Sequence, residues 1–272
     1  MYVLLALIIA APLIWKLDFP IIASPAVKGA YNAVENIPDG KIAVISINWA
    51  SGTIAENGPQ TEAIIRHMFM KDKKRLGIHT EMFSDGVLDL VEQGVITGED
   101  KSLHKGKMVA TFLMGTKRLY DFVNNNPNVL MFPADYVNHP AVICQNHKMV
   151  SINSCVEVDL MGQVVSEAIG LKQISGVGGQ VDYVRGTSMA KDGKSIIAVP
   201  STAAKGTVSR IVPFLAEGAA VTTSRNDVDY IVTEYGIAHL RGKTLRQRAE
   251  SLIAIAHPNF RAMLTDEFNK RF

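Results

Sequence analysis

The pattern of apolar and polar positions changes near residue 70 of the chain. Before that point the periodicity is poor, and the chain is interrupted by two clusters of turn-forming residues, Ile37-Pro38-Asp39-Gly40 and Glu56-Asn57-Gly58-Pro59. From Leu76 onward, short apolar runs alternate with segments that have helical periodicity. This alternation predicts an α/β domain in the later part of the chain.

Four apolar runs predict strands of this domain. The run from Met108 to Met114 predicts a buried strand, and the run from Met149 to Val158 predicts a strand that could pair with its neighbour as a hairpin. The runs from Ile196 to Val199 and from Tyr230 to Val232 predict short buried strands.

Capping residues predict the boundaries of the helices. Ser84 or Asp85 can cap a helix from Gly86 to Gln93, which Gly94 closes. Thr244 has Gln247 three residues later, which is the spacing of a capping box. The helix that follows Thr244 keeps one apolar face until Pro258, formed by Leu245, Ala249, Leu252, Ile253 and Ala256.

Another helix is predicted after the strand that begins at Met108. Its apolar positions are Leu119, Tyr120 and Phe122, and it stops at Asn126-Pro127.

Composition places the chain among ordinary globular proteins. Of its 272 residues, 47% are hydrophobic and 20% are charged, so the chain can bury a core without a disulfide or a structural metal. The net charge of +2 is too small for a nucleic-acid footprint, and the basic run from Lys71 to Arg75 is interpreted as a solvated loop. Cys144 and Cys155 form no metal or redox motif, which favours a reducing, cytoplasmic location.

The first fifteen residues, Met1 to Trp15, are almost uninterruptedly apolar. A secretory signal has a basic region before its apolar stretch, and a spanning helix needs about 20 apolar residues. Neither description fits. A weak anchor, a buried helix and a chain start that is foreign to the domain remain open, and the last two are favoured. We therefore expect no membrane partner.

Several familiar catalytic motifs do not match. The stretch from Gly176 to Val181 begins like a dinucleotide fingerprint but lacks its third glycine. Gly193-Lys194-Ser195 and Gly242-Lys243-Thr244 end like P-loops without the leading glycine. The sequence contains no G-x-S-x-G and no H-E-x-x-H, and its seven histidines lack metal-ligand spacing, so no metal site is predicted.

Two features remain as candidate chemistry, a carboxylate and a glycine-rich loop. Glu81 stands where a strand runs into a capped helix, and ligands bind at the carboxyl ends of strands in open α/β sheets. On this stretch alone, a surface glutamate beside a helix start is the simpler interpretation. The loop of Gly176, Val177, Gly178 and Gly179 can turn backbone amides toward an oxyanion or a phosphate, although glycine-rich turns are common.

Long segments around these features resemble the acetyl-CoA hydrolase/transferase family of class I CoA-transferases. Within it they are most similar to 4-hydroxybutyrate and butyryl-CoA:acetate CoA-transferases, almost continuously from Leu76 to Arg261. The segments are GIHTEMFSDGV, FLMGTKRLYDFV, MVSINSCVEVDLMGQVVSEAIG, ISGVGGQVDYVRG, STAAKG, VTTSRNDVDYIVTEYGIAHLRGKTL and LIAIAHPNFR.

The resemblance implies a fold, a reaction and site residues. The fold is an open, mostly parallel sheet with flanking helices, in a catalytic C-terminal domain at 71–272. Residues 1–70 are a divergent remnant of an N-terminal domain that is largely missing. Glu81 is implied as the nucleophile, which carries CoA as a glutamyl-CoA thioester. The Gly176–Gly179 loop is implied to bind the oxyanion and CoA, and Ser175 and Lys205 to contact CoA.

The resemblance also implies partners and leaves alternatives. Acyl-CoA and short acids such as acetate, butyrate or 4-hydroxybutyrate are the substrates, coenzyme A is a cosubstrate, and no permanently bound cofactor is expected. A homo-oligomer is the default expectation for such an enzyme. An acyl-CoA hydrolase with the same intermediate and an inactive CoA-binding remnant remain as alternatives. No role can be assigned to Arg185, Glu234 or Tyr235.

Overall fold

The computed structural model describes the backbone of residues 43–48 and all of residues 76–272. The apolar segment at 1–15, the two turn clusters near residues 38 and 57, and the basic run at 71–75 lie outside the described residues. The predicted division of the chain near residue 70 therefore stays a prediction.

Strands and short helices alternate along the described part of the chain. The strands are β1 (Ala43–Asn48), β2 (Leu76–Ile78), β3 (Met82–Ser84), β4 (Met108–Ala110), β5 (Phe112–Met114), β6 (Val129–Met131), β7 (Met149–Ser154), β8 (Glu157–Asp159), β9 (Val164–Val165), β10 (Ala168–Ile169), β11 (Lys172–Gln173), β12 (Lys194–Ala198), β13 (Thr202–Ala203), β14 (Val208–Ser209), β15 (Ile211–Val212), β16 (Tyr230–Thr233) and β17 (Gly236–His239). The helices are α1 (Asp85–Glu92), α2 (Lys117–Val123), α3 (Ala134–Val137), α4 (Pro140–Ile143), α5 (Gln180–Met189), α6 (Leu245–Ile255) and α7 (Pro258–Arg271).

A six-stranded sheet forms the centre of the domain, in the order β17-β16-β12-β7-β1-β2. Neighbouring strands are parallel except for β16 and β17, which form an antiparallel hairpin at one edge. Helix α5 packs on β7 and β12, and helix α6 packs on β16 and β17. This architecture confirms the predicted open, mostly parallel α/β sheet with flanking helices.

The apolar runs at 196–199 and 230–232 are buried strands, as predicted, because both faces of a parallel sheet are covered. The run at 108–114 is not one strand. It breaks at Thr111, whose backbone N–H and that of Phe112 both donate to the carbonyl of Glu81. The part before the break, β4, pairs with β6, and the part after it, β5, pairs with β3. Phe112 and Met114 in β5 are exposed. The predicted single buried strand is therefore wrong.

The run at 149–158 also divides into two strands. β7 enters the central sheet, whereas β8 leaves it and forms an antiparallel hairpin with β9 in a small three-stranded sheet that includes β15. The hairpin suggested by the sequence thus exists, but it begins at Glu157 rather than at Met149.

Two apolar clusters fill most of the interior. One cluster joins β2, β3, α1 and α2 through residues such as Leu76, Phe83, Leu88 and Leu119. The other joins the remaining sheet to α6 and α7 through residues such as Ile197, Ile231 and Leu252. A smaller cluster packs Tyr183 of α5 against Ile143 and Met149. These cores fix the sheet from which the loops at its carboxyl edge project.

The predicted capping box of α6 is present. The Gln247 N–H donates to Thr244 Oγ1 at 3.3 Å, and the Thr244 N–H donates to Gln247 Oε1 at 3.1 Å. Leu245, predicted on the apolar face, is exposed because it lies in the first turn beside the cap. Helix α1 is present but runs from Asp85 to Glu92, one residue earlier at each end than predicted. Neither candidate caps it with a side chain, since Asp85 accepts from Thr116 instead.

Among the helices of the described residues, none is long and apolar enough to cross a membrane.

Candidate active site

Glu81 lies in the short link between β2 and β3, at the carboxyl edge of the central sheet. The backbone on both sides is held by a strand that follows later in the chain. The Thr80 N–H donates to the Val109 carbonyl at 3.0 Å, and the Glu81 carbonyl accepts from Thr111 and Phe112 at 3.1 and 3.0 Å. The same break in the 108–114 strand that sequence reasoning missed therefore fixes Glu81. The carboxylate is only partly buried, so a ligand can reach it.

The glycine-rich loop meets this carboxylate. The Gly179 N–H donates a 3.0 Å hydrogen bond to Glu81 Oε2 across 98 residues of sequence. Gly179 is also the residue before α5, so its amide sits at the positive end of a ten-residue helix. Glu81 and the loop are far apart in the sequence, and the structure brings them into contact.

Close approach explains the glycine at position 179. A Cβ built there would lie 2.6 Å from Glu81 Oε2 and 2.7 Å from Asn138 Nδ2, closer than a real Cβ can approach. Asn138 follows α3 and was not noticed in the sequence, because only the folded chain brings it beside Gly179. Gly178 has φ of +60°, a conformation that disfavours any side chain.

Glu81 and the loop line a cavity of about 180 Å³. Its walls combine apolar side chains, small hydroxyls and the loop backbone: Glu81, Met82, Phe112, Asn153, Ser154, Cys155, Ser166, Ser175, Gly176, Val177, Gly178, Gly179 and Gln180. Burial raises the pKa of the Cys155 thiol to about 12, so this thiol stays protonated and is a poor nucleophile. Glu81 is the one carboxylate among the described residues that line this cavity.

Two buried basic side chains support the segment that carries Glu81. His79 Nε2 lies 2.8 Å from the Val137 carbonyl, and burial lowers the pKa of His79 to about 4. Lys101 Nζ donates to the carbonyls of Ile78 and Lys107 at 2.7 and 3.0 Å, and burial lowers the pKa of Lys101 to about 7. Neither residue stands in a recognisable motif, so their role was invisible in the sequence.

The remaining residues from sequence analysis fall into two groups. Ser175 lines the cavity, whereas Lys205 lies in an exposed turn with φ of +57° and is not among the lining residues. Its predicted contact with CoA stays a prediction. Glu234 accepts from the Ser201 N–H at 2.8 Å and from the Ser201 hydroxyl, and Arg185 pairs with Asp227. The Glu234 contact joins the turn between β16 and β17 to the segment after β12, and the Arg185 pair joins α5 to the segment before β16.

Within residues 76–272, no group of three or more His, Cys, Asp or Glu side chains is placed to hold a metal ion.

Comparison with known proteins places this architecture. The sequence model of a protein family, the acetyl-CoA hydrolase/transferase C-terminal domain, matches residues 115–268 of this chain. The 4-hydroxybutyrate coenzyme A transferase of Clostridium kluyveri is 69% identical over 205 residues, which cover 75% of this chain and 48% of that protein. The probable butyrate:acetyl-CoA coenzyme A-transferase of Syntrophomonas wolfei is 43% identical over 243 residues, covering 89% of this chain and 52% of that protein.

A solved structure agrees with the sequence relatives. The crystal structure of a 4-hydroxybutyrate CoA-transferase from Porphyromonas gingivalis superposes with a TM-score of 0.71 at 47% identity, covering 92% of this chain and 57% of that one. The chain thus spans about half the length of the curated relatives it matches. On the matched domain and the shared fold, the chain belongs to the acetyl-CoA hydrolase/transferase family.

Proposed function

We propose that this chain carries the catalytic centre of a CoA-transferase, with Glu81 as the nucleophile. CoA moves from a short-chain acyl-CoA to a carboxylic acid of the acetate, butyrate or 4-hydroxybutyrate type. The hydrogen bond from the Gly179 N–H to Glu81 Oε2, inside a cavity open to ligand, is the observation that carries this proposal. The 4-hydroxybutyrate coenzyme A transferase named above supports the choice of acid.

The reaction begins with the Glu81 carboxylate attacking the thioester carbonyl of acyl-CoA. The C–S bond breaks, and a mixed anhydride and the CoA thiolate form. The thiolate then attacks the glutamyl carbonyl, which releases the first acid as its carboxylate and leaves a glutamyl-CoA thioester. A second carboxylate reverses both steps and leaves as a new acyl-CoA. Because each exchange trades one carboxylate for another, the steps are nearly isoenergetic.

Gly179 has a defined part in the second step. When the thiolate attacks the glutamyl carbonyl, negative charge develops on an oxygen of Glu81 itself. The Gly179 N–H already lies 3.0 Å from Oε2, so it can stabilise that oxyanion without rearrangement. The partial positive charge of the α5 N-terminus adds to the same effect.

Intact-mass spectrometry after incubation with butyryl-CoA tests the proposal. We expect a CoA adduct on the wild-type protein and, after borohydride reduction and peptide mapping, a modification at Glu81. The Glu81→Gln variant should carry no adduct. Glu250→Gln is the matched control, since Glu250 is an exposed glutamate on α6 that pairs with Arg246, and it should be labelled like the wild type.

Adding acetate distinguishes transfer of CoA from the adduct to an acid from hydrolysis of the adduct by water. Release of CoA as acetyl-CoA only when acetate is present supports transfer, whereas thiol release that does not depend on acetate indicates a hydrolase that admits water. A folded wild-type chain that forms no adduct with butyryl-CoA would contradict a catalytic role for Glu81 in this chain.

A further inference from the structure

Three guanidinium groups converge on the turn between β8 and β9, away from the cavity. Arg225 Nη1 lies 3.6 Å and Arg271 Nη2 lies 2.9 Å from the sulfur of Met161. Arg248 Nη1 donates to the carbonyl of Met161 at 3.4 Å. The three arginines come from the loop before β16, from α6 and from α7, so separate parts of the chain bring them together.

The described carboxylates around this turn have partners other than the three guanidinium groups. Within residues 76–272, neither Arg225, Arg248 nor Arg271 forms an ion pair with Asp or Glu. The buried carboxylate of Asp159 belongs to the same turn, but it accepts from the backbone of Met161 and Gln163 and from the Gln163 side chain. Burial and the like charges of Arg225 and Arg241 lower the pKa of Arg248.

One of the three arginine side chains is buried, and the other two are exposed to solvent. Arg248 is buried, with 8% of its surface exposed, and donates to the Arg225 carbonyl at 2.7 Å. Arg225 and Arg271 are exposed, and the Arg271 guanidinium lies over the Phe214 ring at 5.5 Å from its centre. A thioether is a weak acceptor, and among residues 76–272 the Met161 sulfur is the acceptor that Arg225 and Arg271 contact, so most of their N–H donors remain available to a ligand.

We propose that the turn at Met161 binds a phosphate group, which Arg225 and Arg271 hold by charge-assisted hydrogen bonds while Arg248 adds its positive charge. Guanidinium groups match the oxygens of a phosphate in a bidentate manner, and a dianion suits three cations better than a single carboxylate does. Free inorganic phosphate and a phosphate ester such as coenzyme A share this chemistry. The three arginines do not line the cavity around Glu81, so the site is additional to the proposed function.

Isothermal titration calorimetry with inorganic phosphate tests the site in the whole chain. We expect saturable binding to the wild type and binding weaker by about tenfold or more in Arg225→Gln and in Arg271→Gln, because each loses a charged donor. Both side chains are exposed, so the variants should fold, which circular dichroism checks. Arg118→Gln is the matched control. It removes the same charge from α2, where Arg118 pairs with Asp89 and Glu92, and should bind phosphate normally.

Two further measurements sharpen the result. Met161→Leu should retain phosphate binding, since the sulfur occupies the donors only while no anion is present. Displacement of phosphate by coenzyme A identifies an ester as the ligand, and lack of displacement identifies free phosphate. Absence of saturable phosphate binding to the wild type, or equal binding by the wild type and the Arg225→Gln and Arg271→Gln variants, overturns the proposal. Neither result depends on whether Glu81 reacts with butyryl-CoA.

Discussion

At the scale of single residues, the chemistry rests on contacts between residues that are distant in sequence. Glu81 and the glycine loop are only two candidates among local patterns, and the resemblance of the long segments around them to a known family is what selects them. Asn138, His79 and Lys101 could not be chosen, because their importance comes from what they touch: the glycine loop, the Val137 carbonyl and the Ile78 carbonyl. Local sequence carries no record of such partners.

Replacing Gly179 by alanine tests the role of its amide. The added Cβ would approach Glu81 Oε2 to 2.6 Å, so the carboxylate and the amide must separate. We expect the rate of adduct formation at Glu81 to fall by about a hundredfold, the usual effect of losing one oxyanion donor. The measurement is the time course of the butyryl-CoA adduct by mass spectrometry.

The control for this variant is Gly86→Ala in the first turn of α1. A Cβ at Gly86 would meet only Ser84 Oγ, at 4.0 Å, so the adduct should form at the wild-type rate. Adduct formation by Gly179→Ala as fast as by the wild type would show that the amide takes no part in the rate-determining step.

At the scale of elements, prediction succeeded where the signal is local and failed where tertiary contacts decide. The capping box of α6 needs only residues within one helical turn, and it is present as predicted. The 108–114 run looks like a single strand, but the Glu81 carbonyl binds the amides of Thr111 and Phe112 and divides it. That interruption depends on a residue thirty positions earlier in the chain, which periodicity cannot reveal.

The contribution of the α6 cap can be measured by replacing Thr244 with alanine. The variant loses the acceptor of the Gln247 N–H, and we expect the free energy of unfolding to fall by about 1 kcal/mol. Urea denaturation followed by circular dichroism gives this value. Thr265→Ala, within α7, is the control and should leave stability nearly unchanged, because alanine favours a helix interior. Equal losses in both variants would argue against a specific capping effect.

At the scale of the whole molecule, the class of fold was predictable but the arrangement of strands was not. Alternating apolar runs and helices indicate a parallel α/β sheet wherever they occur. The order β17-β16-β12-β7-β1-β2 instead depends on which faces pack together, and several short strands leave the central sheet altogether. Glu81 lies at the carboxyl edge, where ligands bind in open α/β sheets, and it lines a cavity there.

The stability of the whole domain should depend on pH through His79. The pKa of His79 is lowered from 6.5 to about 4 in the folded protein, so the unfolded chain binds a proton between these values and the folded protein does not. Stability is therefore lost as the pH falls from 6.5 toward 4, by about 3 kcal/mol from this residue.

Urea denaturation above pH 6.5 and near pH 4 measures this loss. The His79→Gln variant can still donate a hydrogen bond to the Val137 carbonyl but does not titrate, so its stability should fall less over the same range. Parallel losses in the wild type and in His79→Gln would show that other groups cause the acid sensitivity.

The strand order also determines when, during folding, the cavity comes into being. Neighbours in the central sheet are far apart along the chain, since Val44 pairs with Met149, and Glu81 meets Gly179 across 98 residues. Long loops must close before such pairings are rewarded, and this makes parallel sheets slow to fold. A chain emerging from the ribosome thus presents the Glu81 carboxylate well before the Gly179 amide that contacts it, and the cavity cannot close until the chain has been made at least as far as Gln180.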